Sequence, residues 1–324
     1  MALKICIVTP VPPRSRQGNR ITALRWARIL RSLGHRVDIT QEFNRQTCDL
    51  MVALHASKSF SSIQRFSEHH PEKALIVTLT GTDIYGDCHR NDRCLQSIEM
   101  ATGLIVFQPG ALEEIPVQHR DKAAVIYQSA TPPLGIHNPR KRFFDVCVIG
   151  HLRSVKDPFR TARASRQLPD SSKIRVLHIG GALTPDFEKQ ASAEEISNHR
   201  YRWLGELPHW KTLLILARSR LLVITSASEG GPIVLVEALA ASVPILSTRI
   251  KSVVGHLGED YPGYFPVGDT NTLASLLQMA ETDQGFYADL KKRSEKVKSL
   301  IDPTWECERW EKLVKDLNIH RELS

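Results

Sequence analysis

Two glutamates, Glu229 and Glu237, bracket the seven-residue segment Gly230-Gly231-Pro232-Ile233-Val234-Leu235-Val236. The run Arg220–Thr225 and the small residues Ser226-Ala227-Ser228 precede it, so a strand should pass through a loop into a helix. Proline suits the first helical position, and paired glycines let a ligand approach the backbone. The free amides of Gly231, Ile233 and Val234 would then face an anion, reinforced by the helix dipole. Glu237 follows Pro232 by five residues, about 7–8 Å along a helix that rises 1.5 Å per residue. That offset roughly matches the distance from a nucleotide's diphosphate to its ribose hydroxyls, with Glu229 at the mouth where a sugar ring would lie. A plain turn carrying two surface glutamates is the bland alternative. It fits less well, because Glu237 stands among apolar residues where a carboxylate needs a partner.

Three further loops concentrate polar residues after apolar runs. Gly150-His151-Leu152-Arg153-Ser154-Val155-Lys156 follows Val146–Ile149. A departing diphosphate needs positive charge already in place, and lysine or arginine supplies it. A solvated basic loop is the alternative. Pro10–Thr22 carries Arg14, Arg16 and Arg20 around Gly18 and Asn19. It sits at the carboxyl end of a first strand, where open α/β sheets bind ligands, so it reads as an anion pocket or as ordinary exposed arginines. The third contains Thr82 and Asp83 within Thr78–Tyr85, with His55 just past Leu50–Leu54. These could line an acceptor site, with His55 either a general base or a hydrogen-bonded structural histidine.

The elements that must hold these loops alternate along the chain. Strands are expected at Lys4–Thr9, Arg36–Thr40, Leu50–Leu54, Ala74–Thr80, Leu104–Phe107 and Ala123–Tyr127, with helical stretches between them. In the helical stretch Asn19–Leu33, Ile21, Leu24, Ala27, Leu30 and Leu33 mark one apolar face. A proline- and glycine-bearing stretch, Pro132–Arg142, reads as a linker. Alternation then restarts at Asp145–Gly150 and continues through Ile174–Ile179, Tyr201–Leu204, Arg220–Thr225 and Pro244–Ser247. The expectation is an α/β protein of two Rossmann-like, doubly wound domains facing across a cleft, residues 1–138 and 143–302. A terminal helix, 303–324, carries Trp305, Trp310, Leu313 and Leu317 and could return to the first domain.

Composition narrows the classes. The 324 residues are 42% hydrophobic and 24% charged, ordinary for globular chains and enough for two domains. A net charge of +8 favours anionic partners. With no nucleic-acid-binding motif, small anions lead over nucleic acid. The apolar runs are too short to span a membrane, and the N-terminus reads as a strand without signal-peptide features, so a cytoplasmic protein is expected. Six scattered cysteines favour reduced thiols. Cys88-His89 with Cys94 lacks a second ligand pair, so no metal site is expected.

The Glu229–Glu237 pair around Gly-Gly-Pro, continued by Ala238–Ser247, resembles the E-x7-E signature of family 4 glycosyltransferases with the GT-B fold. The resemblance implies that Glu237 binds the ribose diol. Glu229 and the Gly230-Gly231-Pro232-Ile233 backbone would hold sugar and diphosphate. The loop after Val146–Ile149 resembles the family's Gly-Arg-x4-Lys segment. Lys156 falls on the lysine, while His151 stands where arginine is usual and Arg153 follows two residues later. Thr9–Trp26, Leu79–Tyr85 and Ile149–Arg160 look closest to the selenosugar synthases of selenoneine biosynthesis. That subgroup implies a UDP-sugar donor, such as UDP-N-acetylglucosamine or UDP-glucose, selenophosphate as acceptor and a carbon–selenium bond as product. No metal or other cofactor is expected, and the absence of any Asp-x-Asp pair agrees. The rival readings are a glycosyltransferase with a hydroxyl acceptor, for which His55 or Asp83 would be the base, and a non-catalytic sugar-nucleotide-binding protein.

Overall fold

A computed structural model describes residues 2–15, 17–81, 83–87, 91–135, 137–139 and 142–322. Contacts divide the chain into two units. The first comprises Met1–Gln128, Glu229–Pro232 and Pro303–Ser324, and the second Ser129–Ser228 and Ile233–Asp302.

The first unit is a six-stranded sheet of β1 (Lys4–Val8), β2 (Arg36–Thr40), β3 (Leu50–Leu54), β4 (Ala74–Thr78), β5 (Gly103–Val106) and β6 (Ala123–Val125). Its order is β2-β1-β3-β4-β5-β6, parallel throughout. Every residue of β3 and β4 is buried, as a parallel sheet covered on both faces requires. Alternate residues feed two cores, Cys6, Val8, Met51 and Ala53 on one face and Ile5, Ile7, Leu50 and Val52 on the other.

The second unit repeats this plan with β7 (Phe144–Ile149), β8 (Ile174–Ile179), β9 (Tyr201–Trp203), β10 (Leu221–Ile224), β11 (Ile245–Thr248) and β12 (Tyr264–Phe265). The order is β12-β11-β10-β7-β8-β9, again parallel. In both sheets the winding direction reverses once, between β1 and β3 and between β7 and β10. Doubly wound sheets bind ligands at the carboxyl ends of the two strands that flank such a reversal.

Three expectations change. The first helix spans Gly18–Ser32 and buries Thr22, Ala23, Trp26, Ala27 and Leu30, while Leu24 stays 39% exposed. Its apolar face turns to centre on Trp26, which meets Trp310 edge-on at 4.8 Å and Phe107 at 6.1 Å. Trp310 lies on the terminal helix, Pro303–Glu322, where Glu306 accepts bonds from Trp26 Nε1 at 2.6 Å and Arg25 Nε at 2.9 Å. Second, the thiols are not all reduced: Cys94 is disulfide-bonded, whereas Cys6, Cys48, Cys147 and Cys307 are free. Third, β12 has only two residues, too few for an alternating pattern to announce it. Among the described residues no helix is long and apolar enough to cross a membrane.

Candidate active site

The reversal point of the second unit gathers the strongest candidates. After β7 the chain continues in register past Ile149: Gly150 N–H donates to Ile179 O, and Leu152 N–H to Gly181 O, both at 2.9 Å. The neighbouring turn is glycine for a steric reason. A Cβ on Gly180, whose φ is +154°, would stand 1.9 Å from Gly150 O. Beneath this contact lies His178, fully buried. Burial pushes its pKa down to about 4, against a smaller upward pull from the Gly150 carbonyl, so the ring is neutral. Its Nε2–H donates to Gly150 O at 3.3 Å, and Nδ1 accepts from Tyr201 Oη at 2.9 Å. Side chain and backbone together fix the start of the basic loop.

A short 3-10 turn, Ser154–Lys156, then presents the lysine. Its alkyl stem lies across Gly150, 3.7 Å from where a Cβ would be. Asp157 takes a left-handed conformation at φ +41°, and its carboxylate is held by Arg160 Nε at 2.6 Å. The acid beside Lys156 therefore has its own cation. Arg153 is exposed. His151 is half-buried, and its Nδ1 is shielded from solvent with no partner among the described residues.

The loop after β10 is tied to this turn. Thr225 shares its hydroxyl proton between Lys156 O at 2.7 Å and Asp157 O at 3.0 Å, and Ala227 N–H donates to Val155 O at 2.8 Å. From the other side, Thr248 Oγ1 donates to Ser226 O at 2.6 Å. The helix Ile233–Ala240 begins one residue after Pro232 and has no acidic residue in its first turn. Glu237, 6% exposed, is its one charged residue. Its Oε1 accepts a 2.6 Å bond from Nε2 of His209, at the start of the helix His209–Ala217. His209 was not among the residues singled out from sequence. The signal was indirect: a glutamate in an apolar helix needs a partner, but nothing in the spacing says which.

The intervening residues Glu229–Pro232 belong to the first unit. There a Cβ on Gly230 would lie 2.0 Å from Thr80 O, and one on Gly231 would lie 2.6 Å from the Phe107 ring. Both positions are sterically restricted to glycine.

At the first unit's own reversal point lie the loop after β1 and His55, just past β3. Gly18 and Asn19 open the first helix, whose cap residue Gln17 makes no side-chain capping bond and whose first turn holds no acid. Its leading amides therefore suit an anion. Arg14 is exposed, and Arg20 is half-buried with its Nε shielded and lacking a partner among the described residues. Arg16 and Thr82 lie outside the described residues, as do Cys88 and His89. Asp83 is completely buried, and its carboxylate accepts from the amides of Ala56 at 3.0 Å, Thr80 at 2.9 Å and Gly81 at 2.6 Å. It organises the loop. His55 is 3% exposed with φ +74°, a left-handed backbone uncommon for any residue but glycine, and its Nδ1 lies 3.6 Å from Asp83 Oδ2. Among the described residues no group of three or more His, Cys, Asp or Glu is placed to hold a metal.

Residues 135–297, half of the chain, match the family of glycosyl transferases group 1. The chain is a group 1 glycosyltransferase. It is 23% identical over 279 residues to TuaC of Bacillus subtilis (strain 168), assigned to teichuronic acid biosynthesis, covering 81% of this chain and 68% of that one. It is also 26% identical over 189 residues to the D-inositol 3-phosphate glycosyltransferase of Corynebacterium glutamicum (strain R). That match spans 55% of this glycosyltransferase and 44% of the relative. Anabaena HepE, solved with UDP and glucose, superposes with a TM-score of 0.73 at 16% identity over 97% of this chain and all of that one. Sucrose-phosphate synthase from Thermosynechococcus elongatus gives 0.77 at 15% identity over 98% and 99%. These likenesses establish the GT-B fold, two parallel six-stranded sheets with flanking helices, and a group 1 glycosyltransferase uses a nucleotide sugar.

Proposed function

We propose that the donor is a UDP-sugar and the acceptor selenophosphate, so that the enzyme makes a selenosugar. The observation that carries the donor half is the tie between Thr225 and Lys156. It brings a cation and a helix start to one reversal point, with Glu237 one turn further along. On this reading Lys156, with Arg153 beside it, neutralises the departing diphosphate while the Ile233 amide binds a phosphate oxygen. Glu237 accepts from the ribose hydroxyls. Glu229 and the Gly230–Pro232 backbone contact the sugar, and His151 offers its ring nitrogen to the donor.

The acceptor half is supported by the uncapped start of the first helix, with Arg14 and Arg20 beside it. Selenophosphate arrives anionic and needs charge to bind it; no strong base is required to deprotonate it. Its selenium attacks the anomeric carbon, the bond from that carbon to the diphosphate oxygen breaks, and UDP leaves with the electron pair. Water then cleaves the Se–P bond, releasing phosphate and the selenosugar. Catalysis rests on positioning and charge stabilisation.

One observation favours a hydroxyl acceptor instead: His55, a candidate base, stands just past β3 with its Nδ1 3.6 Å from Asp83 Oδ2. Incubating the enzyme with UDP-N-acetylglucosamine or UDP-glucose, with selenophosphate or a panel of alcohols, separates the two. Mass spectrometry should find a selenium-bearing sugar with the first acceptor. Transfer to alcohols alone would leave the donor assignment standing and remove the acceptor.

A further inference from the structure

We propose that His209 is a positioning residue for the nucleotide ribose, acting through Glu237. The inference rests on the reading of Glu237 as the diol acceptor and adds a residue that reading does not contain.

The pair is asymmetric. Glu237 has a side chain only 6% exposed on a helix that is otherwise Ile, Val, Leu and Ala, whereas His209 is 54% exposed. A carboxylate among aliphatic neighbours has few polar contacts to select its rotamer, and the 2.6 Å bond from His209 Nε2 selects one. An ionised carboxylate offers about four lone-pair sites, so a donor on Oε1 leaves Oε2 and one further site for two hydroxyls. A ribose diol presents two O–H donors side by side. His209 thus fixes the carboxylate plane that a diol would read. The bond also gives a buried carboxylate the partner it needs, so the stability of each variant is measured beside its affinity.

Binding of UDP and of 2′,3′-dideoxy-UDP, measured calorimetrically on the full-length protein, tests this. Replacing His209→Ala should weaken UDP on the order of tenfold, an ordinary loss for one charge-assisted bond. Affinity for the dideoxy nucleotide should be unchanged, because that ligand never reads the carboxylate. His209→Asn, which keeps a donor, should recover part of the loss, and a thermal melt checks that each variant folds. If His209→Ala binds UDP like the wild type while Glu237→Ala binds it weakly, the proposal fails and the donor reading survives. Equal weakening of both ligands also overturns it, because His209 would then act away from the diol. If Glu237→Ala binds UDP normally, the donor reading itself fails.

Discussion

The Thr225 hydroxyl spans from the end of β10 to the carbonyls of Lys156 and Asp157, 2.7 and 3.0 Å away, and so locks together two loops that leave adjacent strands in opposite winding directions. Thr225 is 3% exposed, so water does not compete for this bond. Thr225→Val keeps the shape and removes the proton. It should cost about 1 kcal/mol of stability and raise the KM for the sugar nucleotide several-fold. Thermal unfolding and steady-state kinetics on one preparation measure both. An unchanged KM would mean that the lysine turn holds its place without β10.

Lys156→Ala removes the positive charge assigned to the leaving diphosphate. Loss of one such electrostatic contact costs on the order of 100-fold in kcat. The lysine stem lies across Gly150 at the surface of the turn, and a melting temperature within a few degrees of wild type would show that the fold survives. Full activity in a folded variant would exclude Lys156 from the reaction.

Much of this arrangement was legible in the sequence, for reasons that differ by element. Leu50–Leu54 is the continuous apolar run that a strand buried on both faces requires, while Arg36–Thr40 alternates polar and β-branched residues, and both, like Ile174–Ile179, could be placed to the residue. Strand order could not: β10 pairs with β7, Leu221 beside Val146, through a long-range contact that no local pattern carries. The Glu229–Glu237 segment announced itself through glycines and a proline, the residue types that suit a helix start open to an anion. Asp83 looked equally available, since a carboxylate turned inward onto three amides reads in sequence like one turned outward. His209 was hidden because the bond that defines it joins two helices. The apolar face of the first helix was misplaced because Trp26 answers to Trp310, which lies far along the chain.

Acid should destabilise the protein before its carboxylates titrate. His178 and His256 are fully buried, and burial pushes both pKa values from 6.5 down to about 4. The folded state therefore binds fewer protons than the unfolded state between these values. The stability contributed by the neutral rings is complete above about pH 6.5 and is lost as the pH falls toward 4. At about 1.4 kcal/mol per pKa unit each ring costs on the order of 3 kcal/mol when the loss is complete. Urea unfolding between pH 7.5 and 4.5 should show the midpoint falling steadily. His178→Gln should flatten the slope, and an unchanged slope would remove His178 from the account.

Glu306 anchors the terminal helix inside the first unit. Its side chain is 1% exposed and accepts from Arg25 Nε and Trp26 Nε1. Glu306→Ala strands both donors, which for a buried pair costs about 3–5 kcal/mol. Guanidinium unfolding monitored by tryptophan fluorescence should register the loss through Trp26 and Trp310. A change below 1 kcal/mol would show that the helix is held by its apolar contacts alone.

The proposed donor site requires a nucleotide pocket where the loops after β7 and β10 meet. A crystal structure of the protein soaked with UDP tests it directly. Diphosphate density is expected beside Lys156 Nζ and the Ile233 amide, with both ribose hydroxyls on the Glu237 carboxylate. UDP bound away from that junction, or a ribose turned from Glu237, would contradict it.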